Sequence, residues 1–221
     1  MPRERYQERL DDLRADVVSM GDLVCERYEA AVRAAATGDE ALADEIAAGD
    51  DAVNETYLRL EEACIDLFAL QQPVAGDLRF VAASFKLITD LERVADLATN
   101  LAAYGGPDGG VHSAVAFERL GAAAGEMVAD AVAAYEAGDA ATCREIATRD
   151  TDFDERCRRA SEAVVRDLLD ATVGAAGVTA AVDDASRALL AVRDLERVAD
   201  HAVNVAARTL YIVENDDELI Y

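Results

Sequence analysis

One seven-residue string occurs twice in this chain. Asp90-Leu91-Glu92-Arg93-Val94-Ala95-Asp96 returns letter for letter as Asp194-Leu195-Glu196-Arg197-Val198-Ala199-Asp200, and each copy is followed at the same distance by an asparagine, Asn100 and Asn204. Chance does not produce such a match in 221 residues. The chain is therefore read as a duplicated unit that folds into two similar halves, with whatever chemistry the string carries present twice. Each copy holds a Glu-x-x-x-Asp pair. On a helix, residues four apart lie about 40° apart and one turn along the same face. Two carboxylates so placed repel each other unless something cationic lies between them, so the spacing points to one metal site per half.

The rest of the pattern is helical. There are only three prolines, and no stretch alternates β-branched and polar residues as a strand would. Six long amphipathic helices are predicted: about 5–37, 39–70, 76–104, 114–137, 139–172 and one ending near Val213. Gly38-Asp39 and Gly138-Asp139 punctuate the two halves alike, and Glu45-Ile46, Asp50 and Glu55 recur 100 positions on as Glu145-Ile146, Asp150 and Glu155. The heptapeptides are offset by 104, so four extra residues are expected in the loop between the second and third helices of the second unit, where loops tolerate insertion. The predicted fold is all-α, two similar three-helix bundles. Residues 1–104 form the first bundle, the glycine-rich 105–113 a linker, 114–213 the second bundle and 214–221 an acidic tail. On the third helices, Leu87, Leu91, Val94, Ala98 and Leu101, and equivalently Ala191, Leu195, Val198, Ala202 and Val205, form the packing seam.

Charge narrows the function. With 45 acidic against 21 basic residues the formal charge is −24, which excludes a basic nucleic-acid-binding surface. Lys86 is the only lysine. Such an acidic, lysine-poor composition resembles that of proteins from the salty cytoplasm of halophilic archaea, where most carboxylates serve surface hydration. Cys25, Cys64, Cys143 and Cys157 show no metal or redox spacing and read as small core residues. There is no apolar leader and no run of bilayer length, so a cytoplasmic protein, peripheral to any membrane complex, is expected. Neither a phosphate-binding loop, a dinucleotide fingerprint nor a nucleophile–histidine pattern is present, so no enzyme activity is expected.

With the seam facing the core, Glu92, Asp96 and Asn100 fall on roughly the opposite face, as do Glu196, Asp200 and Asn204. That excludes an interior di-iron site, which needs inward Glu-x-x-His pairs; His112 and His201 are the only histidines and are not repeated. An outward set of carboxylates and an amide is a hard, all-oxygen donor set suited to magnesium, calcium, manganese or iron. A second acidic pair, Asp150 and Asp154, lies on the preceding helix, matched by Asp50 and Asn54 in the first unit. A solvated face laced by Arg93–Asp96 and Arg197–Asp200 pairs is the alternative; the identity of the two strings favours metal. A carboxylate-bridged iron or manganese enzyme or storage protein, and a metal-free helical scaffold, stay open as other classes.

The paired Leu-Glu-Arg-Val-Ala-Asp strings, the Gln71-Gln72-Pro73-Val74-Ala75-Gly76-Asp77-Leu78-Arg79 segment and Met20-Gly21-Asp22 together resemble the PhoU family across essentially the whole chain. That resemblance implies two three-helix bundles and multinuclear metal clusters on their surfaces. Glu92 and Asp96 with Asp50 would hold one cluster, and Glu196 and Asp200 with Asp150 and Asp154 the other. The metal, whether iron, manganese, magnesium or zinc, is left open. Asn54 departs from the acidic pattern, so the first cluster is expected to be the smaller. The resemblance also implies a non-catalytic regulator, often a homodimer, that restrains phosphate uptake and starvation signalling. Its partners would be the ATPase subunit of a phosphate ABC transporter and, where one exists, a membrane sensor kinase.

Overall fold

Glycine followed by aspartate sets the length of the first helix in each half. Gly38 and Gly138 take left-handed φ values of 67° and 66°, which glycine adopts without the Cβ clash that other residues suffer. The next residue starts the following helix. Asp39 accepts from the Leu42 amide at 3.0 Å, and Asp139 accepts from the amides of Ala141 and Thr142 at 2.9 and 3.2 Å, satisfying amides that would otherwise lack partners. The structure, a computed structural model, describes residues 2–69, 75–106, 110–170 and 175–220, with backbone alone for residues 2, 50 and 175–177.

The helices are α1 (Pro2–Thr37), α2 (Glu40–Ala48), α3 (Asp50–Ala69), α4 (Ala75–Ala102), α5 (Phe117–Ala137), α6 (Ala140–Asp170) and α7 (Ala175–Glu214). They make the six expected rods, the second of which is divided at Gly49 into α2 and α3. There the Gly49 amide reaches both Glu45 and Ile46 carbonyls, at 3.0 and 3.2 Å. Its counterpart, Arg149, lets α6 run on and pairs with Asp130 and, at 3.7 Å, Glu126 on α5. Proline at the first position of α1 suits a helix start, where its missing N–H is no loss. The four extra residues of the second half lie in helix, not in a longer loop: α7 begins four positions ahead of Thr179, the equivalent of Ala75. The connection at 110–116 is packed down, with Val111 and Val115 buried, so α5 starts later than the sequence predicts. Segments 71–74 and 171–174 lie outside the described residues.

Both halves share one apolar core that contains every residue of the two predicted seams. Burying each leucine of such a seam stabilises the fold by about 1.5–3 kcal/mol. Cys64, Cys143 and Cys157 are buried and Cys25 half-buried, all as free thiols. Within each half, the first and second helices pack on the third. Between halves, α1 meets α5 and α4 meets α7, each helix against its own counterpart. The α1–α5 crossing is reciprocal: a Cβ on Gly21 would stand 2.7 Å from Val132, and a Cβ on Gly121 2.6 Å from Val32. Both residues of each contact are offset by 100, so one contact is made twice, by antiparallel helices around an internal twofold axis. Among the described residues no helix is long and apolar enough to cross a membrane.

Candidate metal centre

Two carboxylate pairs face each other in the second half. Asp150 and Asp154 project from α6, and Glu196 and Asp200 from α7, each pair one helical turn apart. Burial pushes the Asp150 carboxyl up to about 6, helped by the negative charges of Asp154, Asp200 and Glu196. Glu196 is raised by burial and then by Asp154 and Asp200. Asp200 is raised by burial and Asp154, with His201 and Arg197 acting the other way. Four carboxyl groups thus interact across the α6–α7 groove. Beneath them the buried Cys157 thiol is pushed up to about 12 by burial and by Glu196 and Asp154.

The donor set fits a hard cation. All four groups offer oxygen, and Asp150 Oδ1 is buried with no hydrogen-bond partner, an unpaired acceptor of the kind that costs free energy in a protein interior. Among the described residues no three such side chains already stand at ion-binding spacing, so a cation would have to draw the four carboxylates together. Its chemistry there would be to neutralise and bridge them.

The first half is arranged differently. Arg93 lies between the two carboxylates of the string, 3.5 Å from Glu92 and 3.6 Å from Asp96. Asn54 stands half-buried at the position of Asp154, and the side chain of Asp50 lies outside the described residues. Arg197 does not repeat the Arg93 arrangement. It turns back to Asp194 at 3.7 Å instead of forward to Asp200, because Asp194 is a buried anion with a stronger claim on a cation.

Asp90 and Asp194, the first letters of the string, were not among the candidate residues, yet they join the two halves. Asp194 is 1% exposed. It accepts from the Tyr104 hydroxyl across the α4–α7 seam at 2.8 Å and from Arg193 at 2.9 Å. Asp90 lies 2.9 Å from His201 Nδ1 and accepts from the Asn204 amide at 3.1 Å, both on α7. The signal was available: Asp90 falls three residues after Leu87 and four before Val94, within the apolar register. Part of the identity of the two strings is thus explained by joining the halves and needs no ligand.

Fold and site together define a class: tandem three-helix bundles with acidic pairs on the third helix of each. The sequence pattern of the PhoU domain matches residues 17–104 and again 117–209, and the chain belongs to the PhoU family. A relative from Pseudomonas aeruginosa, called phosphate-specific transport system accessory protein PhoU homolog, is 28% identical over 97% of this chain and 87% of its own length. The crystal structure of PhoU from Pseudomonas aeruginosa superposes with a TM-score of 0.86 at 27% identity, covering 96% of this chain and all of that one. That of the phosphate transport system regulatory protein PhoU from Streptococcus pneumoniae gives 0.83 at 25% identity, covering 96% and 98%.

Proposed function

We propose that this chain is a metal-loaded accessory regulator of a phosphate transport system, acting by binding and not by catalysis. The observation that carries the metal part is the buried, partnerless Asp150 oxygen facing Asp154, Glu196 and Asp200. In the first half Glu92, Asp96 and Asp50 would hold a smaller cluster, with Arg93 displaced from between the carboxylates. The names of the relatives support the transport part. On this reading the protein is cytoplasmic and restrains uptake by contacting the ATPase subunit of the phosphate transporter, with a sensor kinase as a second partner where one is present. Its acidic surface suits a cell of high internal salt.

The test has two arms. Metal analysis of purified wild type and of the Glu196→Ala, Asp200→Ala double variant should show the second-half metal lost. Full retention would overturn the ligand assignment. Deleting the gene should raise phosphate uptake when phosphate is plentiful; an unchanged uptake profile would overturn the regulatory role.

A further inference from the structure

The two halves expose apolar side chains at equivalent places. Ile65 near the end of α3 and Leu78 near the start of α4 are 55% and 44% exposed. Their counterparts at offsets of 100 and 104, Val165 and Val182, are 45% and 43% exposed. A scattered surface leucine needs no explanation. Keeping large apolar groups in solvent at both members of two equivalent pairs does, because nothing inside either bundle is gained by it.

Geometry and charge say what covers them. Asp90 meets His201 and Asn204 while Tyr104 meets Asp194, so α4 and α7 run antiparallel around the internal twofold axis. Leu78 and Val182 therefore sit at opposite ends, about 50 Å apart at a rise of about 1.5 Å per residue. Being equivalent, the two tips lie at the same height along the axis, where a partner sharing that axis reaches both. Each tip carries more carboxylates than cations beside its apolar pair: Glu62, Asp66 and Asp77 against Arg79 at one, and Glu162, Asp167 and Asp183 against Arg166 at the other, with Arg79 lying over the Tyr211 ring and Arg166 paired to Glu162. A second copy of this chain, at −24, would bring the same charge against them.

We propose that the two tips are paired docking surfaces for a twofold-symmetric protein, each subunit of which presents an apolar patch with a basic rim. The proposal rests on the reading above, in that the partner used to test it is the phosphate transporter, whose two ATPase subunits would supply the symmetry. It predicts one chain per symmetric pair of subunits and attachment at two points. Two-point attachment multiplies affinity by roughly 10²–10⁴ through effective concentration alone.

The experiment measures binding of the full chain to purified detergent-solubilised phosphate transporter by surface plasmon resonance. The chains compared are wild type, Ile65→Asp with Leu78→Asp, Val165→Asp with Val182→Asp, and all four changes together. Each pair alone should weaken binding by about 100-fold, both to a similar extent, and the quadruple change should abolish it. Because introduced aspartates could disturb folding, Asp167→Arg with Asp183→Arg serves as a second probe that leaves the apolar groups intact and should weaken binding comparably. If wild type binds and the tip variants bind equally well, the docking surfaces are wrong while the transporter reading stands. If wild type does not bind the transporter, both fall. Two chains per subunit pair, or a dimer of this chain that the tip variants dissociate, would also overturn the proposal.

Discussion

At the scale of single residues, Asp150 sets the behaviour of the metal-free protein with pH. Folding raises its carboxyl to about 6, so the folded chain holds that proton more tightly than the unfolded chain does. Stability from this group is therefore greatest below the ordinary aspartate range, declines as pH rises through about 6, and is flat above it. Solvent screening at a half-exposed carboxylate brings the loss to on the order of 1 kcal/mol. Urea titrations of chelator-treated protein should show stability falling between about pH 4 and pH 6. Asp150→Asn should lack that part of the fall and be at least as stable as wild type at pH 7. An Asn variant less stable than wild type at pH 7 without metal would mean that the charged carboxylate has a cationic partner after all. Glu196 and Asp200 were legible in the sequence because they were repeated, and Asp150 and Asp154 because a 100-residue offset aligned them. The depth of Asp150 was not legible, since Asp150-Thr151-Asp152-Phe153-Asp154 reads as a polar surface until α7 closes over one side of it.

At the scale of elements, the α4–α7 contact is held by two unequal clamps. Asp194 is buried with a hydroxyl and an arginine on it, whereas Asp90 meets an imidazole and an amide at 17% exposure. Asp194→Ala would strand the Tyr104 hydroxyl and leave Arg193 without its partner, costing about 2–3 kcal/mol. Asp90→Ala should cost about 1 kcal/mol. Chemical denaturation would read both, and Asp194→Asn, which keeps an acceptor for Tyr104, should recover part of the loss. Equal losses would mean that the two clamps bear the seam alike. The rods themselves were readable from Gly38-Asp39, Gly138-Asp139 and the apolar period. The break at Gly49 was written in the same Gly-Asp pair, Gly49-Asp50, but the alignment with unbroken α6 concealed it. Pairing between bundles was not readable, because it depends on Gly21 and Gly121 admitting Val132 and Val32, a fit between residues in different halves of the chain.

At the scale of the whole molecule, the excess of 45 acidic over 21 basic residues acts on every element at once. Several of the arginines are committed to local pairs, such as Arg158 with Glu155 and Glu162, and Arg144 with Glu214, Asp216 and Glu218. The last set ties the acidic tail to α6. Exposed pairs of this kind contribute about 0–1 kcal/mol each and weaken in salt, so on their own they predict a protein that loses stability as salt is added. The surplus of carboxylates predicts the reverse. Its repulsion reaches about 30 Å at 0.01 M salt and about 3 Å at 1 M, a range that spans the molecule at one end and a single side chain at the other. Long-range repulsion among dozens of groups outweighs a handful of screened pairs, so the melting temperature should rise with potassium chloride. For a chain of this length, about 3 kcal/mol of relieved repulsion corresponds to roughly 6–12 °C. Screening is nearly complete by about 0.5 M, where the Debye length has already fallen to a few ångströms; a rise that continues steadily beyond it reports exclusion of salt from the surface. A melting temperature that stays flat or falls between low salt and 0.5 M would show that the arginine pairs, not the net charge, govern this surface.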